Sequence, residues 1–343
     1  MLSGEKKDDM IKARQLKVGL RVLRYCLNRV RPYEVAAQLW NTCDQRCIYC
    51  RCPEVETELM TTEQWCRVLR ELRRLGTIRI KFQGGEPTLK SDFLDICWEA
   101  RKLGMVTSTV TNGMRTSARP ELLDPLMEVV VSLDSLRPEI NDHMRGPGAF
   151  KGAMKTIDLS LGKGIKTYVN MALCQKNLED LEALLTFCEQ RGMKMNAQPI
   201  KFGVIYYDDD ARPFALTPSQ IREFHLQMIE WKKRGRGIMF SASSFQKALD
   251  WPDLTQNNIR CRGDSDCMAG KFYFHIDPNG DVIPCIPHGA DLAPKNILED
   301  GLYEALRQVR YHNCGDCWSP YLNERKALFG LRPEAIIEFF KRG

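Results

Sequence analysis

The sequence has no apolar run near the roughly 18 residues that a spanning helix needs. Its opening, MLSGEKKDDM, is strongly charged and lacks the apolar core and small-residue cleavage site of a secretory signal. The expectation is a cytoplasmic protein, where thiols stay reduced and clustered cysteines point to metal or catalysis over disulfides. No repeat of roughly 20 to 50 residues is visible beyond an alternation of strand and helix patterns. Nor does the composition suggest disorder: 43% hydrophobic and 27% charged residues are globular values. Neither sign of charge is in excess outside the first 31 residues, where nine Lys or Arg face three Asp or Glu and account for the whole formal net charge of +6. The neutral remainder excludes a broad nucleic-acid-binding surface.

The 343 residues suffice for one large domain with an appendage or two ordinary domains. In residues 1–33, Leu16, Leu20, Leu23, Leu27 and Val30 recur at helical spacing among Lys12, Lys17, Arg21, Arg24 and Arg31, before Pro32. This predicts a basic amphipathic helix, packed on the main domain or touching an anionic membrane surface or acidic partner. From 34 to 202, strand patterns at 34–40, 77–83, 105–111, 128–134, 165–173 and 193–200 alternate with helical ones such as TTEQWCRVLRELRRL, SDFLDICWEARKL and NLEDLEALLTFCEQR. Six β-then-α units predict an α/β fold with a parallel sheet, open or curled into a partial barrel. Residues 203–260 read as a linker with the loop YYDDDARPF and one helix after TPSQ. Residues 261–318 are rich in cysteine and turn formers, and 319–343 close on a helix, PEAIIEFFKRG.

Fourteen cysteines form two clusters and a scatter. Cys26, Cys66, Cys97, Cys174 and Cys188 fall within helix or strand patterns and read as small buried hydrophobes. The first cluster, NTCDQRCIYCRCP, sets Cys43, Cys47 and Cys50 as CxxxCxxC on the loop after the first strand, the edge where parallel α/β folds place their chemistry. An iron-sulfur cluster and zinc both fit that spacing, although zinc wants a fourth ligand that Cys52 could supply only by a sharp bend. After the second strand, IKFQGGEPTL puts Gly84, Gly85, Glu86 and Pro87 at the same edge. Glycines admit a close approach to the backbone, and a carboxylate accepts from an ammonium.

CxxxCxxC followed by GGEP resembles the radical S-adenosylmethionine (SAM) enzymes, and the resemblance runs over roughly residues 35–318. It implies a partial (βα)6 TIM-like barrel in which Cys43, Cys47 and Cys50 bind a 4Fe-4S cluster whose open iron chelates SAM. SAM cleavage then yields a 5′-deoxyadenosyl radical that abstracts hydrogen from substrate. Carried over by position, Tyr49 lies near the adenine and GGEP at 84–87 holds the methionine ammonium. Thr111 and Asn112 match the third-strand ligand segment. Ser132 and Asp134 face the ribose, Arg145 the SAM carboxylate, and Asn170 adds a fifth-strand contact. Cys52 has no counterpart.

The second cluster, CRGDSDC, FHIDPNGDVIPC and CGDC, places PNGD as a hairpin turn between two short strands. It resembles the SPASM extension, with Gly280 and Cys285 matching its GxxxxC element, in the shortened "twitch" form with one auxiliary 4Fe-4S cluster. Cys267, Cys285, Cys314 and Cys317 are the implied ligands, and Cys261 could replace one; a structural zinc site of CxxC type is the alternative. Four cysteine ligands leave no iron open for substrate, so electron transfer is the expected role.

Three reactions fit: oxidation or cross-linking of a ribosomal peptide, dehydrogenation of a sugar, aminocyclitol or lipid-linked small molecule, and cyclic pyranopterin synthesis suggested by SLDSL. Only 33 residues precede the first strand, short for the winged-helix peptide-recognition domain of many maturases. The ending EFFKRG lacks the pyranopterin family's glycine-arginine tail, which ranks that reaction last. An external donor such as flavodoxin or ferredoxin would supply the electron. His288 or Asp208, Asp209 and Asp210 are candidates for a base, against a solvated loop. A non-enzymatic zinc-binding protein is the remaining class. Anaerobic reconstitution separates them: two 4Fe-4S clusters give a brown protein with about eight irons per chain, a zinc protein stays colourless, and fewer than about four irons contradicts the assignment.

Overall fold

The computed structural model describes residues 32–202, 206–251, 253–254, 258–260, 267–286, 293–310 and 314–341. The N-terminal segment read as a basic helix, together with Cys26, Cys261 and His288, lies outside these residues.

Six strands follow one another across the sheet in sequence order, every pair parallel: β1 (Glu34–Gln38), β2 (Arg79–Gln83), β3 (Val106–Thr111), β4 (Glu128–Ser132), β5 (Lys166–Leu173) and β6 (Lys194–Pro199). Alternation decides which side each residue faces. In β2, Ile80 and Phe82 are fully buried and join the hydrophobic core, while Arg79, Lys81 and Gln83 take the other face. Helices fill the crossovers: α1 (Thr62–Leu75), α2 (Phe93–Lys102), α3 (Met114–Ala118), α4 (Pro138–Arg145), α5 (Ala149–Gly162) and α6 (Leu181–Gln190). The predicted start of α1 is a capping box in which Thr61 and Gln64 satisfy each other's backbone N–H groups, and Gly76 ends the helix at φ 100°. Trp65, Leu69 and Leu72 of α1 and Phe93 and Ile96 of α2 pack into the same core as Ile80 and Phe82. Cys97, Cys174 and Cys188 are buried as expected, but Cys66 is half-exposed on α1.

The sheet does not close. On the β6 side, among the described residues, Met195 makes only an isolated bridge to Ile238. On the β1 side the PNGD hairpin continues the sheet: β8 (Tyr273–Ile276) pairs parallel with β1, and β9 (Asp281–Ile283) and β10 (Lys295–Asn296) follow antiparallel. Docking there removes an exposed edge from β1. A separate antiparallel pair joins β7 (Asn258–Arg260) to β11 (Cys314–Cys317).

The helix expected after TPSQ is α7 (Pro218–Lys233), with Thr217 and Gln220 as its capping box. The sequence reading missed α8 (Ala242–Leu249), α9 (Leu302–Val309) and α10 (Pro320–Phe329), which precede the expected final helix α11 (Pro333–Lys341). The first two are only eight residues long, too short to hold by propensity without the core they pack on.

Helix α10 covers the N-terminal ends of the strands. There Tyr321 donates to Glu34 Oε1 at 3.1 Å and Arg325 at 2.5 Å, the Arg325 guanidinium lies 3.4 Å from the Tyr321 ring centroid, and Arg79 pairs with Glu128. A cavity of about 810 Å³ lies beside this network, at the strand ends opposite the cysteine loop. Burial alone would raise the Glu34 carboxyl, but Arg325, Lys81 and Arg79 hold it down to about 2.

Two consequences are measurable. Glu34→Ala leaves the largely buried Arg325 without its carboxylate and Arg79 with Glu128 alone, and is expected to cost about 3 kcal/mol in urea unfolding. Because the folded value lies below the ordinary 4.5, Glu34 contributes fully above that pH and its contribution is lost as pH falls toward about 2; Glu34→Gln flattens this acid limb.

Candidate active site

After Gln38 the chain crosses the C-terminal edge of the sheet as the loop carrying Cys43, Cys47, Cys50 and Cys52. This loop is fastened to the turn after β2 chiefly through backbone, with the Trp40 indole N–H adding a bond to Glu86 O at 2.8 Å. Gly85 N donates to Trp40 O at 3.0 Å and Glu86 N to Thr42 O at 2.9 Å. A Cβ on Gly84, whose φ is +150°, would stand 2.2 Å from the Trp40 carbonyl oxygen, and one on Gly85 would stand 2.2 Å from those of Asn41 and Thr42. The sequence reading reserved these glycines for a ligand's approach. What approaches their Cα atoms is the cysteine loop itself.

Glu86 is 1% exposed, and both oxygens of its carboxylate are engaged within the protein. One oxygen accepts from Thr88 N at 3.2 Å, the Thr88 hydroxyl at 2.5 Å and the Thr111 hydroxyl at 2.9 Å; the other accepts from Asn112 N at 2.7 Å. Burial pushes this carboxyl up to about 7 against those four donors. The Thr111 hydroxyl is thereby occupied, and it also accepts from Gly113 N. Asn112 reaches the cysteine loop, donating to Asp44 Oδ1 at 2.6 Å and lying 3.7 Å from Cys43 Sγ. Glu86 thus ties the ends of β2 and β3 together, leaving GGEP to present backbone to the cavity.

Asp134 is fully buried and likewise acts as an anchor. Its carboxylate pairs with Arg145 Nε at 2.7 Å and accepts from the Tyr49 hydroxyl at 2.7 Å and Ala172 N at 2.8 Å. Arg145, held protonated by that carboxylate despite burial, sits 5.9 Å from the Tyr49 ring centroid. Asp134 therefore joins the cysteine loop, α4 and β5, with its carboxylate engaged by all three. Ser132 and Asn170 are register partners on β4 and β5, and Asn170 pairs in turn with Asn196 on β6, whose amide donates to Asn170 Oδ1 at 2.6 Å.

These elements enclose a cavity of about 320 Å³ at the C-terminal strand ends. Cys43, Cys47, Cys50, Tyr49, Gly84, Gly85, Glu86, Thr111, Asn112, Ser132, Arg145 and Asn170 all border it; Asp134 and Pro87 do not. Cys52, set aside on sequence grounds, is buried and borders it too, its sulfur 4.0 Å from the Gln38 amide nitrogen. Burial pushes the Cys43 thiol up to about 11 and Cys47 up to about 12, so a metal must displace their protons to bind.

Sequence reasoning missed Gln38, Gln83, Gln198 and Lys201, which border the same cavity. The three glutamines end, or nearly end, their strands, and that position was the available signal. Lys201 carried none. Tyr206 also borders the cavity and opens YYDDDARPF, a loop expected from the sequence to face the substrate. Tyr206 lies where the acidic loop returns: Cys50 bridges Tyr207, Arg51 N donates to Tyr206 O, and Asp208 N donates to Tyr49 O. The Tyr206 hydroxyl donates to Asp277 Oδ1 at 3.0 Å, which also faces His275 Nε2 at 2.9 Å, while the Gln83 amide reaches His275 Nδ1 at 3.3 Å. The hairpin is thus braced to two walls of the cavity. Asp209 and Asp210 are exposed, Asp209 pairs with Arg212, and Asp208 accepts from Asp210 N, the contacts of a solvated turn.

Of the second cysteine set, Cys285 and Cys317 are buried in one small cluster with Cys267 packed against them. Cys314 lies on β11, described by its backbone. Among the described residues no three His, Cys, Asp or Glu side chains close tightly enough to chelate one ion; a cubane, which takes each thiolate at a different corner, asks for a wider set.

Residues 38–188 match the family model described as the radical SAM superfamily: this stretch is a radical SAM domain, of a superfamily that uses a 4Fe-4S cluster and SAM. Among its curated relatives are the PqqA peptide cyclase of Ruegeria pomeroyi, 25% identical over 295 residues (82% of this chain, 74% of that protein), and the mycofactocin maturase MftC of Mycolicibacterium smegmatis, 27% identical over 293 residues (81% and 70%). Streptococcus suis SuiB bound to S-adenosylmethionine shares the fold at TM-score 0.61 and 18% identity, covering 91% of this chain and 77% of that one. Among the described residues no helix is long and apolar enough to cross a membrane.

The glycine lock is testable. Gly85→Ala is expected to displace the cysteine loop and lower reconstituted iron by about four per chain, whereas Cys52→Ala keeps the wild-type count; equal iron in Gly85→Ala and wild type would contradict the lock.

Proposed function

We propose that Cys43, Cys47 and Cys50 hold the 4Fe-4S cluster, that SAM occupies the cavity beside them, and that the enzyme oxidatively modifies a peptide. The convergence of three cysteines, the GGEP backbone and the Ser132–Asn170 row on one cavity at the C-terminal strand ends carries this reading. Bound there, cluster and SAM supply a 5′-deoxyadenosyl radical that takes a hydrogen atom from the substrate.

The chain's own residues supply place and charge. The loop fastened by Gly84 and Gly85 fixes the three thiols, and the backbone of Gly84 and Gly85 offers carbonyls to an ammonium. Arg145, steered by Asp134, turns its guanidinium toward a carboxylate at the cavity wall. Tyr49, buried against Arg145, gives an adenine an apolar face. Ser132 and Asn170 offer donors and acceptors to ribose hydroxyls.

Cys267, Cys285, Cys314 and Cys317 are the proposed ligands of an auxiliary 4Fe-4S cluster, with Cys261 in reserve. With all four ligands from protein, that cluster suits electron transfer. The electron that starts the reaction would come from a flavodoxin or ferredoxin. A peptide substrate follows from the relatives, which are named as a peptide cyclase and a maturase.

Reconstituted enzyme with dithionite and SAM is expected to release 5′-deoxyadenosine, and single alanine substitutions at Cys43, Cys47 or Cys50 to abolish release while Cys52→Ala retains it. Incubation with a peptide encoded beside the gene is expected to change that peptide's mass. Turnover of a sugar or lipid-linked metabolite with the peptide untouched would replace the peptide reading by the dehydrogenase one.

A further inference from the structure

Lys201 follows β6 and borders the cavity that holds Cys43, Cys47 and Cys50, yet it is only 7% exposed. Its ammonium stands 5.5 Å from the ring centroid of Trp318, the residue after Cys317. Ile286, the residue after Cys285, borders the same cavity. Lys201 is therefore on the wall between the two cysteine sets. Among the described residues no carboxylate pairs with it; the acidic side chains that act on it are the thiols of Cys317 and Cys285. His225 packs edge-on against Trp318 at 5.6 Å and is fully buried, and burial together with the Lys201 charge pushes it down to about 4, so it is neutral at physiological pH.

A buried ammonium without an anion is costly, and free thiols do not supply one. Thiolates ligated to an iron-sulfur core do, because four of them outweigh the charge of the core. We propose that Lys201 is the counter-charge of the auxiliary cluster, placed between it and the SAM cavity, and that it sets that cluster's reduction potential as a positioning residue. This rests on the auxiliary-cluster assignment above. A fixed positive charge favours the added electron, so removing it makes reduction harder.

The test is potentiometric EPR on anaerobically reconstituted wild type, Lys201→Met and Lys201→Arg, with iron counted in each. In Lys201→Met the one-electron reduction of the auxiliary cluster is expected to become about tenfold less favourable, a fall of about 59 mV. Lys201→Arg stays near wild type, and the signal that responds to added SAM does not move. An unchanged auxiliary potential in Lys201→Met with about eight irons retained overturns the proposal. Loss of about four irons in Lys201→Met but not in Lys201→Arg supports it, since the charge is then needed to keep the cluster; the same loss in both variants overturns it, since shape and not charge is at stake. A wild type that itself holds only about four irons instead removes the auxiliary-cluster assignment.

Discussion

Two backbone hydrogen bonds, Gly85 to Trp40 and Glu86 to Thr42, fasten the cysteine loop to the end of the neighbouring strand, and they form only because residues 84 and 85 have no side chain. Everything at the C-terminal face depends on that contact. It sets the height of Cys43, Cys47 and Cys50 above the sheet, and it brings Asp44 within reach of Asn112. The loop has no regular structure of its own to hold three thiols apart, so the rigid strand ends do it.

Buried carboxylates provide the second layer of rigidity. Glu86 joins β2 to β3, Asp134 joins the cysteine loop to α4 and β5, and Glu34 joins β1 to α10 at the opposite end. Each is nearly or fully buried and surrounded by donors or cations, the condition under which a buried carboxylate stabilises. The groups left over to face a ligand are mostly neutral amides and hydroxyls: Gln38, Gln83, Ser132, Asn170 and Gln198. Arg145 and Lys201 are the cationic exceptions on that cavity, one steered by Asp134 and the other by no described carboxylate.

The strand-helix alternation from 34 to 202 was legible because each unit carries its own periodicity and its own stops, as the Thr61–Gln64 box and Gly76 show. CxxxCxxC and GGEP were legible because few local structures tolerate such compositions. Less legible were directions. Glu86 and Asp134 look alike in sequence to ligand-facing carboxylates, and only their neighbours reveal them as anchors. The short helices α8 and α9 were invisible for a related reason, since eight residues carry too little periodicity to stand out. Tyr206 and Lys201 lie beyond the last barrel strand, where no repeating pattern assigns a position to anything.

By itself the sequence determined the parallel α/β architecture, the cysteine sets and the radical SAM motifs, because these rest on spacing within short segments. The tertiary structure decided that the cysteine-rich hairpin extends the main sheet beside β1, that Cys52 borders the cavity, and that Lys201 stands between the two thiol groups. Those facts join residues that lie from about a dozen to more than two hundred positions apart, and contact at such separations is fixed by which surfaces the whole chain buries together.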